Sequence, residues 1–387
     1  MTLRNAIPAR YLTLSLLALT LTACRPHDFP QYPPNYREYA YVTNGGSGTV
    51  SVLDVVNVRL DRELPVGQNP VAVAASPTRN EVYVVNSGAA GAQGSISVIN
   101  AENNTVAATI SVQRQPVSIE VAPAGDLAYV ANSGSNTISV IDLKARREIA
   151  QIGAGEEPVF TRLSPDGLTL VVANRRGNSA TLIDPATRRV RAVFEGCPGA
   201  ADAVVVPDSS KAFVACSAGH QVMAIALAEA HPALPDRLEA LMDVGRAPLQ
   251  LVLKPDGGEV FSVNSLSDSI SEIVTNTNDV GGAYMMGSNP VRGLVSSDNS
   301  MLYIGNLNSQ YVTIYAPDEG KRVGSIRVGD GPSALAFSAA GNLLFVVDAR
   351  SNDVAVVRTK TPKPSLFTLI PAGRNPNAIA VKSFKVQ

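Results

Sequence analysis

The sequence has 387 residues, of which 17% are charged and 45% are hydrophobic, and its formal net charge is −1. Globular proteins usually carry about 25% charged residues, so this chain has few. It has no Trp, and it contains 30 Gly and 26 Pro. These values exclude a disordered chain, a coiled coil and a collagen-like repeat, and they provide no basic surplus for nucleic acid.

The first 24 residues have the pattern of an export signal. Arg4 and Arg10 flank the start of an apolar run, Tyr11–Thr22, that is too short to cross a bilayer as a mature helix. The run ends in the letters LTAC at Cys24, which resembles the signal of bacterial lipoproteins. That resemblance implies loss of residues 1–23 and a lipid anchor on the Cys24 thiol, in a cell-envelope protein facing the periplasm or the exterior. An ordinary secretory signal with an incidental Cys is the alternative.

A tether is predicted after the signal. Residues 24–38 contain four Pro and no apolar periodicity, which indicates an extended segment. The remaining chain, residues 39–387, is then predicted to form one repeat domain.

From residue 39 onward a four-residue pattern, first seen as YVTN, occurs eight times. The copies end at Asn44, Asn86, Asn132, Asn174, Cys216, Asn264, Asn306 and Asp348. Each copy continues with a polar loop, two strand-like segments, a Gly-x-x-Pro loop and a further apolar strand. That strand ends in a turn such as Ser-Pro-Asp-Gly at 164–167. Four short strands in roughly 42 residues are typical of a propeller blade.

The repeats resemble those of the YVTN-repeat family of β-propellers over residues 39–384. The resemblance implies an all-β fold of eight four-stranded blades, with the strand that begins at Pro innermost and the Tyr-Val-x-Asn strand second. The chain starts at a second strand, Tyr39–Asn44, and ends with an innermost strand, Asn377–Lys382. We therefore expect both chain ends to close the first blade, which leaves no open edge.

Two cysteines remain if Cys24 carries lipid. An even number in an exported chain predicts a disulfide between Cys197 and Cys216. Cys216 is expected opposite about Ala201, so the loop with Cys197 must curl back to reach it. Two free thiols are the alternative. The scattered Cys and three His match no metal or haem spacing, and no nucleotide motif is found, so neither metal nor cofactor is expected.

The innermost strands suggest one place for chemistry. Glu120, Arg162 and Asp202 occupy three consecutive blades at positions expected to face the axis, and Arg292 lies two blades further on. An Arg between carboxylates fits an anion or sugar-acid site with acid–base groups. An ion-pair network in a water-filled channel is the alternative, because buried charges need partners.

A second candidate surface is the rim shared by the Gly-x-x-Pro loops and the loops after the second strands. Its charged residues are Arg114, Glu156, Glu157, Arg175, Arg176, His220, Arg246, Arg350 and Arg374. Several Arg on one rim fit a ligand surface, whereas mixed charge also fits a solvated loop face. His220 has no adjacent nucleophile, so a catalytic role is not expected.

These observations favour a non-catalytic lipoprotein whose propeller binds an unidentified protein or a small anion on the rim. A lactonase-type propeller hydrolase using Glu120, Arg162 and Asp202 is the alternative. Binding of single-stranded nucleic acid, known among YVTN-like relatives, is disfavoured by the acidic net charge and the lack of Trp. A monomer is expected.

Overall fold

The structure is a computed structural model that describes residues 32–228, 235–361 and 363–386. The predicted signal, Cys24 and most of the tether lie outside these residues. Residues 34–387 form one compact unit. Within its described residues, 32 strands make eight four-stranded antiparallel sheets, which are the blades of the predicted propeller.

The first four blades are numbered along the ring from the N-terminal side. Blade 1 contains β1 (Tyr36–Asn44), β2 (Thr49–Asp54), β3 (Arg59–Pro65) and, from the other chain end, β32 (Pro376–Lys385). Blade 2 contains β4 (Pro70–Ala75), β5 (Glu81–Asn86), β6 (Gln93–Asn100) and β7 (Thr105–Arg114). Blade 3 contains β8 (Pro116–Val121), β9 (Leu127–Asn132), β10 (Thr137–Asp142) and β11 (Arg147–Gly153). Blade 4 contains β12 (Pro158–Leu163), β13 (Leu170–Asn174), β14 (Ser179–Asp184) and β15 (Arg189–Glu195).

The other four blades follow the same plan. Blade 5 contains β16 (Ala200–Val205), β17 (Lys211–Cys216), β18 (Gln221–Ala226) and β19 (Arg237–Asp243). Blade 6 contains β20 (Pro248–Leu253), β21 (Glu259–Asn264), β22 (Ser269–Val274) and β23 (Val280–Met285). Blade 7 contains β24 (Pro290–Val295), β25 (Leu302–Asn306), β26 (Tyr311–Ala316), a 3₁₀ turn (Pro317–Glu319) and β27 (Lys321–Arg327). Blade 8 contains β28 (Pro332–Phe337), β29 (Leu343–Asp348), β30 (Asp353–Arg358) and β31 (Ser365–Pro371).

The strand order within each blade confirms the prediction. The strand that begins with Pro, or with Ala200 in blade 5, is innermost, and the Tyr-Val-x-Asn strand is second. Second strands are buried on both faces, as in Val82–Val85 of β5, because each blade packs between two neighbours. Apolar β-branched side chains suit such surfaces, which explains the low charge content.

Blade 1 is closed by both ends of the described chain, as predicted, but the closing strands are longer than expected. Strand β1 begins at Tyr36 and not at Tyr39, and β32 continues to Lys385. Glu38 explains the extension, because its buried carboxylate accepts the Tyr36 hydroxyl at 2.7 Å and the Ala339 N–H at 2.6 Å. Residues 36–38, assigned to the tether from sequence, therefore belong to the blade.

A repeated contact explains two motifs at once. The Asn that ends a second strand donates its amide to hydroxyls on the third strand, as Asn174 does to Thr181 at 2.8 Å. The Gly of the Gly-x-x-Pro linker lies directly on this Asn, since a Cβ added to Gly155 would be 2.7 Å from Asn174 Cγ. We call this contact the top junction and the face that carries it the top face.

Candidate functional site

Carboxylates on the innermost strands bind the backbone of the next strand around the ring. Glu120 Oε1 accepts the Leu163 N–H at 3.4 Å, and Asp202 Oδ2 accepts the Leu251 N–H at 2.8 Å. The innermost strand is a sheet edge, so some of its N–H groups have no partner in the ladder. The two predicted axial carboxylates therefore satisfy backbone donors of neighbouring blades.

Glu120 and Arg162 are brought together. Arg162 Nη1 lies 3.4 Å from Glu120 Oε2, and the guanidinium carbon lies 5.3 Å from the centroid of the Phe160 ring. Burial raises the pKa of Glu120, while Arg162 and the Leu163 N–H lower it. The effect of burial on this pKa therefore exceeds that of the ion pair.

Asp202 is the more strongly perturbed carboxyl. Burial raises its pKa to about 6, against the lowering effects of the Leu251 N–H, Arg162 and Arg292. A carboxyl with such a pKa could exchange protons near neutrality. Its side chain is, however, buried, and one of its oxygens already binds Leu251.

The remaining axial residues make the channel polar on one side only. Arg292 is exposed and donates to its neighbouring Val291 carbonyl at 3.1 Å. Gln250 accepts the Gly293 N–H of the next blade at 2.7 Å. This contact could have been predicted, because Gln250 occupies the same position in its repeat as Asp202 does. The equivalent positions of blades 8, 1 and 2 carry only small residues: Ala334, Ala336, Ala378, Ala380, Ala72 and Ala74.

The rim predicted from sequence is formed by the top face. Backbone bonds join the two sets of loops there, as between the Arg175 N–H and the Glu157 carbonyl at 2.9 Å. Arg175 also pairs with the Glu157 carboxylate, and Arg176 Nε lies 3.9 Å from its second oxygen. The hydrogen bond from Arg175 lowers the pKa of Glu157. These two Arg are thus partly neutralised.

The other rim arginines differ in their partners. Arg350 lies 3.8 Å from Asp330, and Arg246 donates to the Leu266 carbonyl at 2.8 Å. Arg114 and Arg374 are exposed. No carboxylate of the described residues forms an ion pair with Arg114, Arg246 or Arg374.

His220 has a structural position that sequence analysis missed. Its Nδ1 accepts the Ala247 N–H at 3.2 Å, which ties the loop after β17 to the linker entering β20. Asn136 and Asn178 make the same bond from the same loop position in blades 3 and 4, to Glu157 and Gly199. The signal was present in the alignment, because His220 replaces an Asn of the repeat.

Cys197 and Cys216 form a disulfide in the structure, with Cα atoms 4.7 Å apart. They are separated by 19 residues, as are Gly155 and Asn174, so they occupy the Gly and Asn positions of the top junction. Cys216 pairs with Ala200 and not with Ala201, because a β-bulge follows the first residue of β16. A covalent bond thus replaces the usual Gly–Asn contact in blade 5.

The described residues contain no cluster of three or more His, Cys, Asp or Glu arranged to hold a metal ion. In the same part of the chain, no helix combines the length and apolar character needed to traverse a bilayer.

Comparisons with known proteins agree with the fold. None of the curated proteins matches the sequence. Among solved structures, AztD from Citrobacter koseri is 14% identical with a TM-score of 0.67, covering 90% of this chain and 98% of its own. A candidate 6-phosphogluconolactonase from Bacteroides uniformis is 16% identical with a TM-score of 0.62, covering 89% and 99%. Hydrazine synthase from Kuenenia stuttgartiensis is 22% identical with a TM-score of 0.57, covering 83% and 92%.

At these identities the structural likeness concerns the fold alone. The sequence itself matches the model of one family, described as YNCE-like beta-propeller, over residues 105–383. Because this match spans more than half of the chain, the protein is a member of the YNCE-like β-propeller family.

Proposed function

We propose that this protein is a cell-envelope lipoprotein whose propeller is a non-catalytic binding module, with an anionic partner contacting the top face. The LTAC sequence at Cys24 supports the lipid anchor and the envelope location. The rim arginines support the choice of surface.

The non-catalytic assignment rests on the contacts of the axial carboxylates with the protein itself. Glu120 binds Arg162 and the Leu163 N–H, and Asp202 binds the Leu251 N–H from a buried position. Groups committed to the protein's own backbone serve to hold neighbouring blades together. An acid–base pair for lactone hydrolysis would need to reach the substrate and its attacking water.

The arrangement of the unpaired rim arginines favours a large partner. Arg114, Arg246 and Arg374 lie at the linkers between blades 2 and 3, 5 and 6, and 8 and 1. These linkers are separated by two or three blades around the ring. A small ligand could meet one of these guanidinium groups, whereas a protein with an acidic surface could contact all three.

The anchor is tested by metabolic labelling with a radioactive fatty acid in a bacterial host. We expect the label on the wild-type protein and its loss from Cys24→Ser, with the protein moving from the membrane to the soluble envelope fraction. Unlabelled wild-type protein would reject the lipoprotein assignment.

The binding surface is tested by photo-crosslinking in intact cells, with the crosslinker at Leu266, an exposed residue of a top loop. We expect an adduct that disappears when Arg114, Arg246 and Arg374 are changed to Glu. The matched control changes three exposed arginines at the starts of outermost strands, Arg59, Arg147 and Arg189, and should retain the adduct. Equal loss in both variants would contradict the rim proposal.

The lactonase alternative is tested with purified protein and a sugar lactone. We expect wild type, Glu120→Gln and Asp202→Asn to give the same uncatalysed rate. Turnover by the wild type that falls at least tenfold in either variant would establish the hydrolase function instead.

A further inference from the structure

The top junction of blade 8 has two acids where the other blades have neutral side chains. Asp348 stands where Asn132 ends β9, and Asp353 stands where Thr137 begins β10. In blade 3 the amide of Asn132 donates to the Thr137 hydroxyl at 3.3 Å. Two carboxylates have no hydrogen of their own for such a contact unless one of them is protonated.

The two carboxylates converge on the linker glycine. Asp348 is 0% exposed, and its Oδ2 accepts the Gly329 N–H at 2.9 Å. A Cβ added to Gly329 would be 2.7 Å from Asp348 Oδ2 and 2.5 Å from Asp353 Oδ1. In blade 6 the linker Gly245 donates to Ser271, but blade 8 has Ala355 at that position. The missing hydroxyl explains why Gly329 uses Asp348.

Each carboxylate also keeps one buried oxygen without a donor. Asp348 Oδ1 and Asp353 Oδ1 are both inaccessible to solvent and have no hydrogen-bond partner. The residues face each other across β29 and β30, with their side chains within hydrogen-bonding reach. Two ionised carboxylates in such contact repel each other strongly, and one shared proton removes the repulsion.

The surrounding charged groups do not supply a cation to this pair. Asp330 lies on the linker before β28, and its carboxylate lies 3.8 Å from Arg350. Arg350 also donates to Asn308 at 2.6 Å. Arg374, on the linker before β32, is exposed. Within the described residues, neither Arg350 nor Arg374 forms an ion pair with Asp348 or Asp353.

The loop between the two acids anchors the strand that closes the ring. The Asn352 N–H donates to the Asp348 carbonyl at 3.0 Å, and the Asn352 side chain accepts the Asn375 N–H at 2.8 Å. The Asn352 carbonyl accepts the Ala372 N–H at 2.9 Å. Ala372 and Asn375 lie on the linker into β32, so the acid pair is connected to the closure through one residue.

We propose that Asp348 and Asp353 share one proton at neutral pH and act as a pH-sensitive latch on the loop that positions the closing strand. The pair holds the loop while it is singly protonated. Loss of the proton at alkaline pH leaves two adjacent negative charges, that of Asp348 fully buried, and weakens the loop and the linker beyond it.

The direction of the pH effect follows from proton linkage. Burial raises the pKa of Asp348 to about 8, and the neighbouring Asp353 adds to the rise. The folded chain therefore binds this proton more tightly than the unfolded chain, whose Asp has a pKa of about 3.9. The contribution to stability is complete below the unfolded value and is lost as the pH rises through about 8.

The test compares thermal unfolding of the full chain between pH 5 and pH 9. The variant Asp348→Asn with Asp353→Thr installs the neutral pair of blade 3. We expect the melting temperature of wild type, relative to this variant, to fall by about 2 °C per pH unit up to pH 8. The control Asp330→Asn removes a half-buried acid of the linker before β28 and should keep the wild-type pH dependence.

Difference infrared spectroscopy provides a direct readout. Wild type should show a protonated carboxyl band at pH 7 that is absent from Asp348→Asn, a single change available if the double variant does not fold. A pH-independent difference in melting temperature, or no such band, would overturn the proposal. It would equally be overturned if CaCl2 or KCl restored wild-type stability at pH 9, because a bound cation would then be the missing partner.

Discussion

Blades 1 and 5 share one strand order but are held together in opposite ways. Blade 1 joins β1 to β32 by hydrogen bonds and side-chain packing, and Thr43 donates to Asn377 at 2.6 Å across 334 residues of sequence. Blade 5 consists of neighbouring segments, and the Cys197–Cys216 disulfide links the linker before its innermost strand to the end of its second strand. The same architecture therefore contains a joint without covalent support and a joint with additional covalent support.

The difference teaches where the ring should open first. The entropy cost of closing a loop grows slowly with its length, so the long separation of β1 and β32 is tolerable once both ends pair. The pairing and packing of blade 1 must offset that cost, whereas the disulfide in blade 5 restricts the unfolded chain in advance. We expect perturbations of blade 1 to disrupt folding of the whole ring. Perturbations of blade 5 should lower the free energy of unfolding only in part.

Deletion of residues 376–387 should have the largest effect. It removes β32, leaves β1 as an exposed edge and strips apolar contacts from blades 8 and 2. We expect loss of the cooperative melt, measured by circular dichroism and calorimetry. Deletion of residues 386–387 alone, beyond the end of β32, is the control and should melt as wild type does. A truncated protein with a near-normal melt would refute the closure as the critical joint.

Removal of the disulfide should have the next largest effect. Cys197→Ala with Cys216→Ala should lower the free energy of unfolding by about 3 kcal/mol, the value typical of a loop of this size. The matched variant Cys197→Gly with Cys216→Asn installs the Gly–Asn top junction of five other blades and should recover part of the loss. Urea unfolding measures both. Two titratable thiols in the denatured, oxidised wild type would show that the bond is absent.

The buried carboxylate of blade 1 should contribute less. Glu38→Ala leaves the Ala339 N–H and the Tyr36 hydroxyl without their acceptor. We expect a loss of about 2 kcal/mol in urea unfolding, because hydrogen bonds to a charged group are removed. Glu63→Ala, at an exposed position on β3 of the same blade, should change stability little. Equal effects of the two substitutions would show that Glu38 does not stabilise the closure of blade 1.

The smallest effect concerns Lys382, which lies on β32 where blade 6 has Lys254. Lys254 contacts three carboxylates, whereas Lys382 is 8% exposed and donates to the Ser76 carbonyl at 2.7 Å. Burial lowers the pKa of Lys382, so the unfolded chain binds this proton more tightly than the folded chain. The charged Lys382 therefore lowers the free energy of unfolding at neutral pH. This loss disappears as the pH rises towards the pKa of Lys in the unfolded chain.

Lys382→Met should therefore stabilise the protein by about 1 kcal/mol at pH 7 and gain less at pH 10. Lys254→Met should destabilise it, because three carboxylates lose their partner. Unfolding in urea at the two pH values separates these outcomes. A destabilising Lys382→Met at pH 7 would show that the Ser76 contact outweighs burial of the charge.

The eight blades, their strand order and the closure could all be predicted from local patterns. Asn at the end of the second strand and Gly in the linker recur at fixed spacing because they touch in five of the blades, as Asn174 and Gly155 do. The rim could be predicted for the same reason, since both loop types end on the top face. Repetition converts short-range signals into a global architecture, because each unit packs only on its neighbours.

The partners of individual side chains could not be predicted from such local sequence patterns. Nothing local to Glu38 indicates that it binds Ala339, and nothing local to Asp202 indicates that it binds Leu251. These contacts join different blades, so they depend on how the twist of each sheet and the bulge after each first residue orient side chains across the interface. The repeat therefore determines the course of the backbone. The side chains that differ between repeats find their partners only when the closed ring brings residues distant in sequence together.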